Sequence, residues 1–369
     1  MASQELSVLL LAGRLEVRGR TSQLLQLARR LPESEGIKVQ LLCPDSSRLG
    51  KEQTQGINVR EAPALEWPFL RRAAWYWLYW ELAESPPDLI HVYQRRVLPF
   101  GTWLARKLRR PYVVTFHDFL RPGERLSIDQ VLCRRYLAVS EPIRDELFTH
   151  PRYPQELIEV IHSGIDTQCQ AETSDLLSPG RAPVVGTAGP LEADKGHDVF
   201  IRATPLILQA FPGTQFVIAG TGPEEASLRN LVRELRMSEQ VTFVSGMTDL
   251  SVAIEAMDIF VLPSLRQGLG TIMLEAMARH RPVIATQSGG VYRIVKDGET
   301  GLLVPPSDSP ALARRVIELL SHPEAARQLG QSGRDHVCRE FPVEDMVART
   351  ARMYRSVAAE MPSPKDVDA

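Results

Sequence analysis

The stretch QGLGTIMLEAM, residues 267–277, sets Gly268 and Gly270 just ahead of an apolar run whose one acid is Glu275. Glycines before a helix let a phosphate approach the backbone closely. The first amides of a helix have no acceptor within it, and with the helix dipole they form an anion site. Glu275 stands among Ile272, Met273, Leu274, Ala276 and Met277, so a buried helix is expected, where a carboxylate is costly unless hydrogen-bonded. A sugar diol supplies such bonds. The structural alternative is a pairing with Arg279, four residues on. A capping box is excluded, because Thr271 precedes Glu275 by four positions rather than three. Gln267, the amide that opens the stretch, can both donate and accept.

Two further stretches fit anion binding. GPLEADKG, residues 189–196, places Lys195 beside Gly196, where it adds a mobile positive charge, and VIAGTGPEEASL, residues 217–228, holds Gly220 and Gly222 in a tight turn before a helix. Each feature alone is commonly a turn or a surface lysine; their joint order is what carries information.

These residues need strands to position them, since ligands of open α/β sheets bind beyond the carboxyl ends of the strands. Short β-rich runs alternate with helical patterns in both halves: LSVLLLA, KVQLLC, DLIHV, YVVTFH, YLAVS and IEVIH, then PVVGTAG, QFVIAG, VTFVSG, DIFVLPS, PVIAT and GLLVP. Six strands in each half predict two doubly wound parallel sheets with helices on both faces, their strand ends meeting across one cleft. The polar segment 166–183 reads as the linker, giving a first domain over 1–170 and a second over 182–342. Helices are expected over 309–321, 323–339 and 343–360. The last carries Val343, Met346, Val347, Thr350, Met353, Tyr354 and Val357 on one face and can pack on either domain, including a return to the first. The final residues, MPSPKDVDA, read as a tail.

A chain of 369 residues exceeds what one core supports, in keeping with two domains. No apolar run is long enough to span a bilayer and no basic segment precedes the first one, so a cytoplasmic protein without a signal peptide is expected. Cys43, Cys133, Cys169 and Cys338 lie far apart and are expected as buried thiols rather than metal ligands or disulfides. The only Asp-x-Asp, Asp366 to Asp368, lies in the tail, so no metal is expected. No pair of opposed carboxyl groups can be nominated for glycosidase chemistry. A net charge of −2 argues against nucleic-acid binding, yet residues 71–135 hold twelve arginines and lysines against six acids. They include RRAAWYWLYW, Arg71 to Trp80, which suits peripheral contact with an anionic inner membrane surface and equally suits a helix packed on its own domain.

Taken in order, GPLEADKG, GTGPEEASL, PSLRQGLGTIMLEAMARHRPVIATQSGGV and DGETGLLVPPSD resemble the GT-B glycosyltransferases of the large retaining group called family 4, or glycosyl transferases group 1. The likeness covers residues 183–310. The first half is similar more loosely, through GRTSQLLQLARRL, VVTFHD, LAVSEPIRDEL and VIHSGID. The resemblance implies two Rossmann-like domains facing a central cleft, the first, 1–170, binding the acceptor and the second, 182–342, the nucleotide sugar, and a hexosyl-type transfer from a nucleoside diphosphate sugar, UDP- or GDP-linked. The acceptor could be a saccharide, a lipid-linked species or a small metabolite, and no cofactor or metal would be needed. It implies that Glu275 bonds the ribose, that the amides of Gly268, Leu269, Gly270 and Thr271 hold the diphosphate with Gly189 and Gly222 close by, and that Lys195 neutralises it. Gly246 and Met247 would receive the base. His117, with Gly19, Arg20 and Asp118, would lie on the acceptor side; His117, Lys195, Gln267 and Glu275 form the catalytic set.

Two positions depart from the family pattern. Gln267 stands where the first of two glutamates is usual, keeping hydrogen bonding but losing charge, and Pro190 stands where an arginine often grips the diphosphate. Arg14, Arg20 and Arg266 are the candidate replacements. These departures keep open a nucleotide-sugar-binding protein with little turnover, and the fold keeps open a nucleotide-sugar epimerase. The oligomeric state is not legible.

Overall fold

Strands buried on both faces are built from continuous apolar runs, because neither side can carry polar groups into the covering helices. The structure, a computed structural model, describes residues 5–16, 19–67, 69–121, 123–167, 176–247 and 249–360. Most of the expected linker, the tail with Asp366 and Asp368, and Cys169 lie outside the described residues. The described chain groups into two units. One takes the residues through Glu16, Arg20–Ser163 and those from Glu344 onward; the other takes Gly19 and Gly164–Val343.

The first unit runs β1 (Ser7–Leu11), α1 (Gly19–Glu35), β2 (Lys38–Cys43), α2 (Lys51–Thr54), β3 (Val59–Glu61), α3 (Arg71–Glu84), β4 (Leu89–Val92), α4 (Leu98–Leu108), β5 (Tyr112–Phe116), β6 (Cys133–Ala138), α5 (Glu141–Phe148) and β7 (Ile158–Val160). Its parallel sheet has seven strands in the order β3-β2-β1-β4-β5-β6-β7. The expectation of six is corrected by β3. This three-residue edge strand pairs Val59, Arg60 and Glu61 with β2, and its two charged residues gave no apolar run to read.

The second unit runs β8 (Val184–Ala188), α6 (His197–Ala210), β9 (Gln215–Ala219), α7 (Glu225–Glu234), β10 (Val241–Val244), α8 (Ser251–Glu255), β11 (Ile259–Leu262), α9 (Thr271–Ala278), β12 (Val283–Thr286), α10 (Val291–Ile294), β13 (Leu302–Val304), α11 (Ser309–Ser321) and α12 (Pro323–Glu340). Its six parallel strands are ordered β10-β9-β8-β11-β12-β13, as expected from the six runs. Val185, Phe216, Ile218, Ile259, Val261 and Ile284 of the sheet are sealed against Phe200, Ile207, Leu312 and Val316 of α6 and α11.

The last helix, α13 (Val343–Ala359), buries Met346, Val347, Thr350, Met353, Tyr354 and Val357, and its residues from Glu344 group with the first unit. Its anchor is polar. His91 of β4 bonds the Tyr354 hydroxyl through Nδ1 at 2.5 Å and the Thr115 hydroxyl through Nε2 at 2.7 Å. Burial brings the His91 pKa down to about 3, so the ring is neutral and uses one nitrogen to donate and the other to accept. Cys43 and Cys133 are buried as expected, while Cys338 is only half-buried; all three are free thiols. Among the described residues no helix is long and apolar enough to cross a membrane.

Candidate functional site

In the second unit the strand order reverses between β8 and β11: the chain lays β9 and β10 outward on one side, then returns to lay β11, β12 and β13 on the other. A crevice opens at such a reversal because the flanking loops turn away in opposite directions. The loop after β8 carries Gly189 and Lys195, and the loop after β11 carries Gln267, Gly268, Leu269, Gly270 and Thr271. Gly222 follows β9, and Gly246 and Met247 follow β10, with Gly246 exposed and Met247 half-buried. Thus the ends of four neighbouring strands supply the expected donor-site residues.

The two central loops are locked together. The Leu265 and Arg266 amides donate to the Asp194 carbonyl at 2.9 and 3.2 Å. Gly196 adopts a left-handed φ of +64°, and a Cβ there would stand 2.1 Å from the Pro263 oxygen, so only glycine fits. Lys195 is thereby held next to the β11 loop, with its side chain 13% exposed and its ammonium 3.0 Å from the Asp194 carboxylate. The β9 turn closes on the other flank: the Leu191 amide donates to Thr221 at 3.0 Å, and a Cβ on Gly222 would meet the Leu191 oxygen at 2.2 Å.

Gly270, at φ +88° and ψ 47°, caps α9 and receives the Met273 amide on its carbonyl at 2.8 Å. The amides before Met273 are those that helix geometry leaves without an intrahelical acceptor. Gln267 lies beside this cap, its Cγ 3.6 Å from where a Gly270 Cβ would be. The β11 loop is also held from β12: the Gly290 amide donates to the Gln267 and Gly268 carbonyls at 3.1 Å each, and Ser288 Oγ donates to Ser264 at 2.8 Å, joined there by the Thr286 hydroxyl.

Within α9 the residues Ile272, Met273, Leu274, Ala276, Met277 and Ala278 are buried, as their pattern predicts, while Thr271 and Glu275 are half-buried. Arg279 donates to the Glu275 backbone carbonyl at 3.1 Å and forms an ion pair with Glu255 at 3.0 Å. Among the described residues no cluster of histidine, cysteine and acid side chains is arranged to hold a metal.

One functional neighbour escaped the sequence reading. His197, buried at the start of α6, donates from Nε2 to the Pro190 carbonyl at 3.0 Å and so fixes the loop between Gly189 and Lys195. Burial brings its pKa down to about 4, with the bond to Pro190 pulling the other way, so the ring is neutral. Its only sequence signal was its place after Lys195 and Gly196.

In the first unit the order reverses between β1 and β4. Here Tyr93 follows β4 and His117 and Asp118 follow β5. His117 Nε2 donates to the Tyr93 carbonyl at 3.1 Å, and the two rings lie 4.5 Å apart. Burial first, then the Arg20 charge, bring the His117 pKa down to about 4, with Asp118 pulling it up. With Nε2–H committed to Tyr93, a neutral ring presents Nδ1 as an acceptor. Arg20 reaches Asp118 at 3.4 Å, while Gly19, the first residue of α1, groups with the second unit. Of the other arginines named as replacements at Pro190, Arg14 is bound to Glu66 at 2.8 Å and Arg266 is exposed.

Residues 170–336 match the model of Glycosyl transferases group 1, and residues 17–168 that of Glycosyltransferase Family 4. The chain is 38% identical over 164 residues to the putative glycosyltransferase EpsD of Bacillus subtilis, covering 44% of this chain and 43% of that protein. It is 30% identical over 284 residues to the glycogen synthase of Mycobacterium tuberculosis, covering 73% and 68%. The chain therefore spans less than half the length of EpsD and about two thirds of the glycogen synthase. Its fold superposes on the crystal structure of Anabaena Alr3699/HepE in complex with UDP and glucose with a TM-score of 0.81, at 20% identity, over 95% of this chain and all of that one.

Proposed function

We infer that this chain, which belongs to the group 1 glycosyltransferases of GT-B fold, moves a sugar from a nucleoside diphosphate sugar to an acceptor hydroxyl. The observation that supports this most is the clasp, at the β8/β11 reversal, of the loop carrying Lys195 on the loop that leads into α9. Backbone amides at Gly270 and Thr271 receive the diphosphate, and Lys195 neutralises the charge that grows as it departs. Glu275, one helical turn on, accepts the ribose hydroxyls, and Gln267, beside the helix cap, bonds the transferred sugar. Met247 and Gly246 border the base. The relative crystallised with UDP and glucose is consistent with such a donor.

The transfer proceeds with retention. The acceptor oxygen bonds to the anomeric carbon from the face the diphosphate leaves, the bond from that carbon to the diphosphate oxygen breaks, and the acceptor proton passes to a phosphate oxygen. Neutral His117, presenting Nδ1 as an acceptor, orients a hydroxyl on the acceptor side rather than removing its proton. No step requires a metal.

Following a panel of UDP- and GDP-sugars by NMR, with and without saccharide, lipid-linked and small-metabolite acceptors, tests the proposal. Nucleoside diphosphate released only when acceptor is present, with the anomeric configuration retained, is the expected result. Donor converted without acceptor would make the protein an epimerase, and donor bound without turnover would make it a binding protein; either overturns the transfer reading.

A further inference from the structure

We propose that the exposed face of α3, with the segment leading into it, docks the first unit on a lipid surface bearing anionic headgroups. The helix has two faces that do different things. Ala74, Leu78 and Leu82, four residues apart, are buried, and the Trp75 ring meets Phe100 and Trp103 of α4 at a tilt, with centroids 5.5 and 5.4 Å apart. That face packs the helix on α4. The other side is open to solvent: Phe69, just before the helix, is 97% exposed, Trp80 68% and Trp77 58%, with Trp67, Leu70 and Tyr76 about half exposed beside them, Tyr76 also meeting Trp103 edge-on at 5.2 Å. A surface this aromatic, concentrated on one helix, marks an interaction site rather than scattered surface apolar residues.

Charge identifies the occupant. Arg71 and Arg72 are exposed at the head of the helix, and Lys107 of α4 stands 5.7 Å over the Tyr76 ring. Arg60 covers Trp77 at 5.1 Å but is neutralised by its ion pair with Glu81, so the attracting charge is that of Arg71, Arg72 and Lys107. Those three belong to a region, residues 71–135, that carries twice as many basic as acidic side chains in a chain whose total is −2. Tryptophan and tyrosine settle at headgroup depth, where one edge of the ring is apolar and the other wet, and neighbouring arginines and lysines attract an anionic leaflet. Nucleic acid would also answer the charge, but its phosphates leave fully exposed Phe69 in water. The surface is independent of the donor site, so failure of one says nothing against the other.

Co-sedimentation of the full chain with vesicles tests this. Vesicles of phosphatidylcholine mixed with phosphatidylglycerol should take up the protein at least about tenfold more strongly than phosphatidylcholine alone, with tryptophan emission shifting to the blue and the binding weakened by salt. Phe69→Ser/Trp80→Ser, confined to exposed side chains, should abolish uptake while the thermal melt is unchanged, and Arg71→Gln/Arg72→Gln should remove most of the preference for anionic vesicles. Equal uptake by both vesicle types, no uptake, or self-association that Phe69→Ser/Trp80→Ser reverses without any vesicle binding would overturn the proposal.

Discussion

Gly196 and Pro263 touch so closely that a Cβ on residue 196 would stand 2.1 Å from the Pro263 oxygen. This contact ties the Lys195 loop to the loop that leads into α9. Gly196→Ala must push the two apart and also hold alanine at φ +64°. A stability loss of about 1–3 kcal/mol is expected from chemical denaturation. Nucleoside diphosphate affinity should fall about tenfold or more in titration calorimetry, because Lys195 and the α9 amides no longer converge. Wild-type affinity in a folded Gly196→Ala protein would separate the contact from the site.

Gln267 is assigned to the sugar and not to the diphosphate. Gln267→Ala should weaken binding of the nucleotide sugar and lower kcat/KM about tenfold, as loss of one or two hydrogen bonds does, while affinity for the bare nucleoside diphosphate is unchanged. Gln267→Glu, which still accepts the same bonds, should fold normally and retain turnover. Equal losses for sugar-bearing and bare nucleotide in Gln267→Ala would place the residue on the diphosphate instead.

Glu275→Ala should reduce nucleoside diphosphate affinity about 10- to 150-fold, the range for losing hydrogen bonds to a charged acceptor. The comparison that isolates the ribose is a nucleotide lacking its ribose hydroxyls, whose affinity should be alike for wild type and Glu275→Ala.

His197 and His91 give the protein a stability that depends on pH. Their native pKa values are brought down to about 4 and about 3, from an ordinary 6.5, so the unfolded chain takes up protons that the native ring refuses. Stability is therefore complete above about pH 6.5, declines as the pH falls from there, and stops declining once below the native values. For His197 alone the loss by pH 4 is on the order of 3 kcal/mol. Urea melts at pH 7 and pH 5 should show a clear drop at the lower pH that shrinks in His197→Asn; identical midpoints would contradict it.

Both sheets were legible because a parallel strand covered on two faces leaves a largely apolar run, as VLLLA in LSVLLLA and IFVL in DIFVLPS. β3 was not, since an edge strand with Arg60 and Glu61 has no such run. The loops that carry the candidate donor-side residues could be read because each directly follows a strand, and Gly196 and Gly222 have a steric reason to be glycine. What supports them could not. The His197 bond to Pro190, the clasp of Thr286 and Ser288 on Ser264, and the His91–Tyr354 link across 263 positions depend on packing between distant segments, which leaves no periodic trace. The helix RRAAWYWLYW offered two readings; in the structure one of its faces packs on α4 and the other is exposed.

A crystal soaked with nucleoside diphosphate tests the central claim most directly. The account predicts diphosphate oxygens about 3 Å from the amide nitrogens of Gly270 and Thr271, with Lys195 turned toward them and the Glu275 carboxylate on the ribose hydroxyls. A nucleotide bound away from the start of α9, or a Glu275 carboxylate tied to Arg279 with the ribose elsewhere, would contradict it.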